Sequence, residues 1–315
     1  MQNVYESVSA NKRKSLLVII VFILFTLISS VFIARGLASY YGYESSGLEL
    51  TGIAMLISGI MSFASYYFSD SIILGISGAR PADKKRDFLL FTVTENLSLA
   101  SGLPMPRLYV IEDTAMNAFA TGRDPRHAVI CATTGIISRL NRTELEGVIG
   151  HELSHVANYD IRLMSIVTVL VGLITLLADW LLRAGWYGGR SRREDRGNGG
   201  IFLVVGMIMA ILSPFIAKLI QLAISRRREF LADASSVKLT RQPSGLISAL
   251  AKLGADREPL EAANKATAHL YIVNPFHADI AGSALSGGRS VDWLAGLFNT
   301  HPPLAERIKV LERMS

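Results

Sequence analysis

Four stretches of this chain are apolar without the alternation of a surface helix or a half-buried strand. Leu16 to Ala34 and Leu50 to Phe68 carry no charge, and each is long enough at helical rise to cross a bilayer. Together they predict a membrane hairpin over residues 1–79, in which Gly52, Ser58, Gly59 and Ser62 let the two helices approach. A second pair, residues 163–182 and 201–224, is less clean, because Asp179 interrupts the first run and Lys218 the second. The rest reads as a folded domain. Leu108 to Ile111 and Ala128 to Ala132 are short strand patterns, and Ser244 to Leu253 and Glu258 to Ala268 are helical. A last helix starts at Pro303, with Leu304, Ile308 and Leu311 on one side. Leu145, Val148, Ile149, Leu153 and Val156 recur at helical spacing behind Thr143 and Glu146, which read as a capping box. The fold class predicted is α+β and predominantly helical.

Composition agrees with membrane segments: 50% of residues are hydrophobic and 18% charged, with a mean hydropathy of +0.35. The net charge of +6 does not point to nucleic acid. Its excess sits in Lys12-Arg13-Lys14, Lys84-Lys85-Arg86 and Arg226-Arg227-Arg228, clusters that flank apolar runs as positive-inside topology and anionic headgroups require. Both ends of the first hairpin therefore belong in the cytoplasm. The connector of the second pair conflicts with that rule, since Arg183, Arg190, Arg192, Arg193 and Arg196 would lie outside if both runs spanned. Cys131 is the only cysteine, so no disulfide forms within the chain, and its apolar setting makes it a small buried hydrophobe.

The chemistry centres on His151-Glu152-Leu153-Ser154-His155. On a helix this H-E-x-x-H spacing puts two imidazoles one turn apart on one face, able to hold one zinc ion, with Glu152 placed to act as general base. Glu229 offers a third ligand, and Asp233, one turn later, is the natural acceptor for the other ring proton of a ligating histidine. Three protein ligands leave a position open, the mark of a catalytic rather than a structural zinc. Because Glu229 follows the second apolar pair and the histidines precede it, that pair crosses the membrane twice or not at all. Asp160 is free to cap the helix after the motif, and Asp70 reads as an interfacial cap. His127, His269 and His277 have no partner at ligand spacing.

The combination of HELSH, Glu229-Phe230-Leu231-Ala232-Asp233, Asn117-Ala118-Phe119-Ala120 and Thr300-His301-Pro302-Pro303 with Arg307 resembles the HtpX-type bacterial membrane-bound zinc metalloproteases, relatives of the CAAX prenyl proteases. The resemblance implies a gluzincin-type domain over residues 80–315 with one zinc per chain, residues 163–224 being an inserted hydrophobic helix pair. It places His301 and Arg307 at the active site, where they stabilise the tetrahedral intermediate or organise the ligands. It puts Asn117 on an edge strand along the cleft, beside the substrate. The implied role is endoproteolysis of misfolded or damaged membrane proteins at the cytoplasmic face of the inner membrane, under stress, with unfolded polypeptide, the bilayer and the chain itself as partners. Two alternatives stand beside it: a CAAX-type prenyl-peptide processing protease, and a membrane scaffold that uses zinc for stability alone.

Overall fold

A four-stranded sheet and the helices that cover it make up most of what the computed structural model describes, namely residues 9–21, 66–170, 226–263, 267–275 and 302–314, with isolated positions between 23 and 64 and at 172. The strands are β1 (Arg80–Pro81), β2 (Arg107–Ile111), β3 (Ala118–Gly122) and β4 (Ala128–Thr133), in the order β1-β2-β4-β3. β2 and β4 are parallel, with Leu108 opposite Ile130, and β3 runs antiparallel to β4, with Phe119 opposite Cys131. The helices are α1 (Ser69–Ile76), α2 (Phe88–Ser101), α3 (Thr134–Arg139), α4 (Arg142–Ala157), α5 (Arg226–Thr240), α6 (Pro243–Ala255) and α7 (Leu304–Glu312). This bears out the helix-rich α+β reading.

β3 and β4 are buried along their whole length, because both faces of the sheet are covered. Leu108, Val110, Ala118, Ala120, Ile130 and Ala132 face a core built with α2, α4 and α6. The alternate residues Ile111, Phe119, Val129 and Cys131 face a second cluster with Ile73, Leu270 and Tyr271. Burial pushes the Cys131 thiol well above its usual range, which suits an inert packing residue.

Helix α4 starts on a different box from the one its sequence suggested. Asn141 accepts from the Glu144 amide, and the Glu144 carboxylate accepts from the Asn141 amide, so the capping pair lies two residues earlier than Thr143 and Glu146. Its apolar stripe is as predicted, and Leu145, Val148, Ile149, Leu153 and Val156 are all in the core. Two glycines on this helix allow close neighbours: a Cβ on Gly147 would stand 2.8 Å from the Leu246 backbone of α6, and one on Gly150 2.7 Å from Ser236 Oγ of α5.

The helix predicted over Ser244 to Leu253 is α6, but the one predicted over Glu258 to Ala268 is not formed among the described residues. There the Asp113 carboxylate accepts from the amides of Glu261 and Ala262, and the Leu260 amide donates to Pro275 O. Backbone donors satisfied by tertiary partners have no need of a helical ladder. Asp70 lies in the first turn of α1 and pairs with Arg107 rather than acting as the cap. The apolar runs 16–34, 50–68 and 163–182 lie partly outside the described residues and 201–224 wholly so, and no described helix is long and apolar enough to cross a membrane. Where it is described, the third run is packed inside the protein: Leu163, Ile166, Val167 and Leu170 are buried.

Candidate metal centre

The local fold around the H-E-x-x-H motif follows from the crossing of α5 on α4. α5 lies against α4 where Gly150 faces Ser236, whose hydroxyl donates to Gly147 O at 2.7 Å. That contact fixes the register of α5 on α4. Back along α5 from Ser236, about one turn and about two turns away, are Asp233 and Glu229, spaced i, i+4 and buried on the face that also carries Ala232 and Ser236.

Glu229 thereby meets the histidines. His151 Nε2 and His155 Nε2 are 3.2 Å apart, and the two carboxylate oxygens of Glu229 lie 3.7 Å from the first and 3.6 Å from the second. An ion bound tetrahedrally with bonds of about 2.0–2.1 Å spaces its ligands about 3.3 Å apart. The three donors therefore fit a zinc-sized cation. They form the one group of this kind among the described residues, and all three members are buried.

Each imidazole is held from behind. His151 Nδ1 lies 2.8 Å from Asp233 Oδ1, and His155 Nδ1 lies 3.0 Å from Asp160 Oδ2. With Nδ1 donating its proton to a carboxylate, Nε2 keeps a lone pair, and both lone pairs point at the same place. The guanidinium of Arg307, fully buried on α7, grips Asp233 with Nε at 2.8 Å and Nη2 at 2.6 Å. Its Nη2 also comes within 3.3 Å of His151 Nδ1. Both atoms are donors aimed at Asp233 Oδ1, so this is a shared acceptor and not a bond between them.

Electrostatics follow the packing. Burial alone would raise the Asp233 carboxyl, but the Arg307 charge and the bonds from His151 and Arg307 outweigh it and hold the group down at about 2. Burial likewise opposes charge on His155, yet the bond to Asp160 and the charges of Glu229, Asp160 and Glu152 push it up to about 9. His155 so raised favours its protonated form near neutral pH, and binding a cation there would release that proton.

Glu152 is buried like its two neighbours in sequence and is not one of the three donors. Its charge acts on His155 and on Arg307, which places it at the centre. Asn117, expected beside a substrate, is buried, and its carboxamide is committed to the backbone of Val273, with Nδ2 donating to the carbonyl at 2.9 Å. β3 is one of the sheet's two outer strands, but Ile272 N donates to Ala118 O and Ser165 Oγ accepts from Gly122 N, so both ends of its free edge are taken. His301 lies outside the described residues. His269 is buried against Thr168, and His127 is exposed beside Asp124. From the sequence, Asp160 is expected only to cap the next helix. Its carboxylate is instead the partner of His155, a candidate metal ligand, and an acid five residues after His155, beyond a helix break, is the available sign.

Comparison with known proteins agrees with this geometry. The sequence pattern of peptidase family M48 matches residues 85–315. A "Protease HtpX homolog" of Dictyoglomus turgidum is 44% identical over 98% of this chain and 94% of its own length. Another, of Thermoanaerobacter pseudethanolicus, is 41% identical over 100% of this chain and 99% of its own. A looser likeness, with TM-score 0.47 and 19% identity over 98% of this chain and 67% of the other, is to the crystal structure of S. mikatae Ste24p. With two buried imidazoles and a distant carboxylate converging on one point, and a family match over most of its length, the chain belongs to peptidase family M48 and is a metalloendopeptidase.

Proposed function

We propose that this protein is an integral-membrane zinc endopeptidase that cleaves misfolded or damaged membrane proteins at the cytoplasmic membrane face, itself included. The observation that carries the chemistry is the convergence of His151, His155 and Glu229, a three-ligand set with Glu152 next to it but outside it. Held by these residues, zinc would supply Lewis acidity, polarising a scissile carbonyl and making water a stronger acid near neutral pH. Glu152 takes the proton of the attacking water and delivers it to the leaving amine nitrogen. Asp233 and Asp160 keep both imidazoles in the tautomer that presents Nε2, and Arg307 holds Asp233 ionised and in place. Arg307 thus organises the ligands from behind. His301 enters on the family resemblance of the Thr300-His301-Pro302-Pro303 stretch alone, as the donor to the tetrahedral oxygen. Asn117 serves the site by clasping the 271–273 segment against β3, and an extended substrate would pair along that strand through Ala120, whose peptide groups face away from β4.

Support for a membrane setting comes from the uncharged runs near the N-terminus. Their described members include Leu16, Leu17, Ile20, Leu24, Ile53, Leu56, Ile60 and Phe63, all large, apolar and exposed. Such a set is unfavourable in water and favourable in lipid. Basic clusters on both flanks support an active site on the cytoplasmic side.

The test is metal analysis of the detergent-purified full chain together with casein cleavage, with and without chelator. One zinc per chain and chelator-sensitive cleavage are expected. Glu152→Gln should keep the zinc and lose about 10²–10⁴-fold in cleavage. Cleavage that survives in purified Glu152→Gln would overturn the base assignment, and protein that purifies active but free of zinc would overturn the cofactor.

A further inference from the structure

We propose that Asn11, at the base of the N-terminal helical stretch, is a positioning residue of the metal centre, acting through Asp160 on His155. This rests on the reading of His155 as a ligand. The stretch of residues 9–21 presents Asn11, Ser15 and Val18, spaced i, i+4, i+7, as a buried stripe, while Leu16, Leu17 and Ile20 are exposed. One face of this helix is therefore packed on the protease domain. On that face Asn11 Nδ2 donates to Asp160 Oδ1 at 2.7 Å and to Asn158 O at 2.9 Å.

The two bonds act on the turn that leaves the motif helix. Asn158 O precedes Tyr159, which has the left-handed φ of 59°, and Lys12 Nζ lies 4.3 Å above the Tyr159 ring. Asp160 is the more consequential partner. Its two oxygens are divided: Oδ1 takes Asn11 and, at 3.3 Å, Arg228 Nη1, while Oδ2 faces His155 Nδ1 at 3.0 Å. A carboxylate turns as one rigid group, so donors that fix Oδ1 also fix Oδ2. Arg228 immediately precedes Glu229 on α5, and thus Asp160 links one ligand histidine, the neighbour of the ligand glutamate and the N-terminal helix. Asn11 is a neutral donor, so it orients Asp160 without competing for its charge as a lysine or arginine would. The helix that sequence alone marks as an anchor is by this geometry a wall of the active centre.

A hydrogen bond that merely seats the helix would leave the metal indifferent. The two roles separate in a double-mutant cycle read as zinc affinity, by chelator competition on the full chain in detergent. Asn11→Leu, which keeps the shape and removes the donor, should weaken zinc binding about tenfold, the lower end of what losing an outer partner of a ligand costs. Asp160→Asn should weaken it at least as much. In the Asp160→Asn background the Asn11 change should have almost no further effect, because its route is already cut. Lys12→Ala, which loosens the same helix without touching Asp160, should leave the affinity as it was.

The proposal is overturned if Asn11→Leu binds zinc as the parent does, if the two losses multiply in full, or if Lys12→Ala lowers affinity as much as Asn11→Leu. Should Asn11→Leu not purify folded, Asn11→Ser, whose hydroxyl is too short to reach Asp160, is read in the same cycle with the same expectations. His155→Ala keeps the outcomes apart. If it binds zinc normally, the ligand assignment itself falls; if it loses zinc while Asn11→Leu does not, only the role of Asn11 falls.

Discussion

Replacing Arg307 by methionine should be far more damaging than the loss of a residue outside the metal's reach would be. The guanidinium is fully buried, and two of its nitrogens hold the Asp233 carboxylate at 2.8 and 2.6 Å. The side chain of methionine fills much of the same volume but leaves a buried carboxylate with His151 as its remaining close donor. The scale of the cost comes from the carboxyl itself: its fall from an ordinary 3.8 to about 2, which Arg307 and His151 produce together, corresponds to about 2.5 kcal/mol. The variant keeps the burial of that carboxylate without its guanidinium, and a broken buried pair costs roughly 3–5 kcal/mol. At about 2–4 °C per kcal/mol, thermal unfolding in detergent should drop by about 5–20 °C. The contribution of Asp233 in the parent is fully present above pH 3.8 and is lost as pH falls through about 2. In Arg307→Met that loss moves to higher pH, so the variant should be the more acid-labile protein. Arg307→Lys should rescue poorly, because one ammonium cannot reproduce the two-pronged grip. Removing both charges, in Arg307→Met with Asp233→Asn, should recover part of the stability that Arg307→Met alone loses, since no carboxylate is then stranded. A transition within 1–2 °C of the parent in Arg307→Met, or a double variant worse than the sum of the singles, would refute this account.

Other expectations are narrower. Gly147→Ala should destabilise by about 1–3 kcal/mol in thermal unfolding, because its Cβ would stand 2.8 Å from backbone atoms of Leu246, which have no rotamer to escape to. Glu144→Gln should cost about 1–2 kcal/mol near neutral pH. Burial works against the charge of Glu144, but Lys252, Ser248 and the Asn141 amide hold its carboxyl below the ordinary value, so the parent's advantage should shrink as pH falls through the acid range. Stripping the metal should lower the transition temperature and make it depend on added zinc, measured by titrating zinc into chelator-treated protein. It should also change the proton balance, since His155 sits at about 9 in the metal-free centre and must give up its proton to a cation. Calorimetry in two buffers of different ionisation heat measures that release at neutral pH.

What the sequence disclosed and what it withheld divide along one line: local spacing was legible, and long-range partnership was not. His151, Glu152 and His155, and again Glu229 and Asp233, are set by steps of one to four on single helices, so their faces could be assigned before any fold was known. The strand patterns at 107–111 and 128–133 were legible for the same reason. The grip of Arg307 on Asp233 spans 74 positions and that of Asn11 on Asp160 spans 149, and no periodicity reports such pairs. Competition between equally good local solutions explains the rest. Thr143 and Glu146 satisfy the capping-box pattern as well as Asn141 and Glu144 do, but only Glu144 is placed so that Lys252 and Ser248 of α6 can hold its carboxylate. The helix start was thus chosen by the neighbour that packs on it. Residues 258–263 show the converse, where Asp113 takes amides that a helix would have used and the helical pattern goes unexpressed. Asp160 combines both lessons: as a cap it is a local reading and a reasonable one, but a carboxylate buried within 3.0 Å of a ligand imidazole contributes more as that imidazole's partner than it could at a helix end. The motif helix therefore ends where it does so that the chain can turn through Tyr159 and bring this acid back beneath His155.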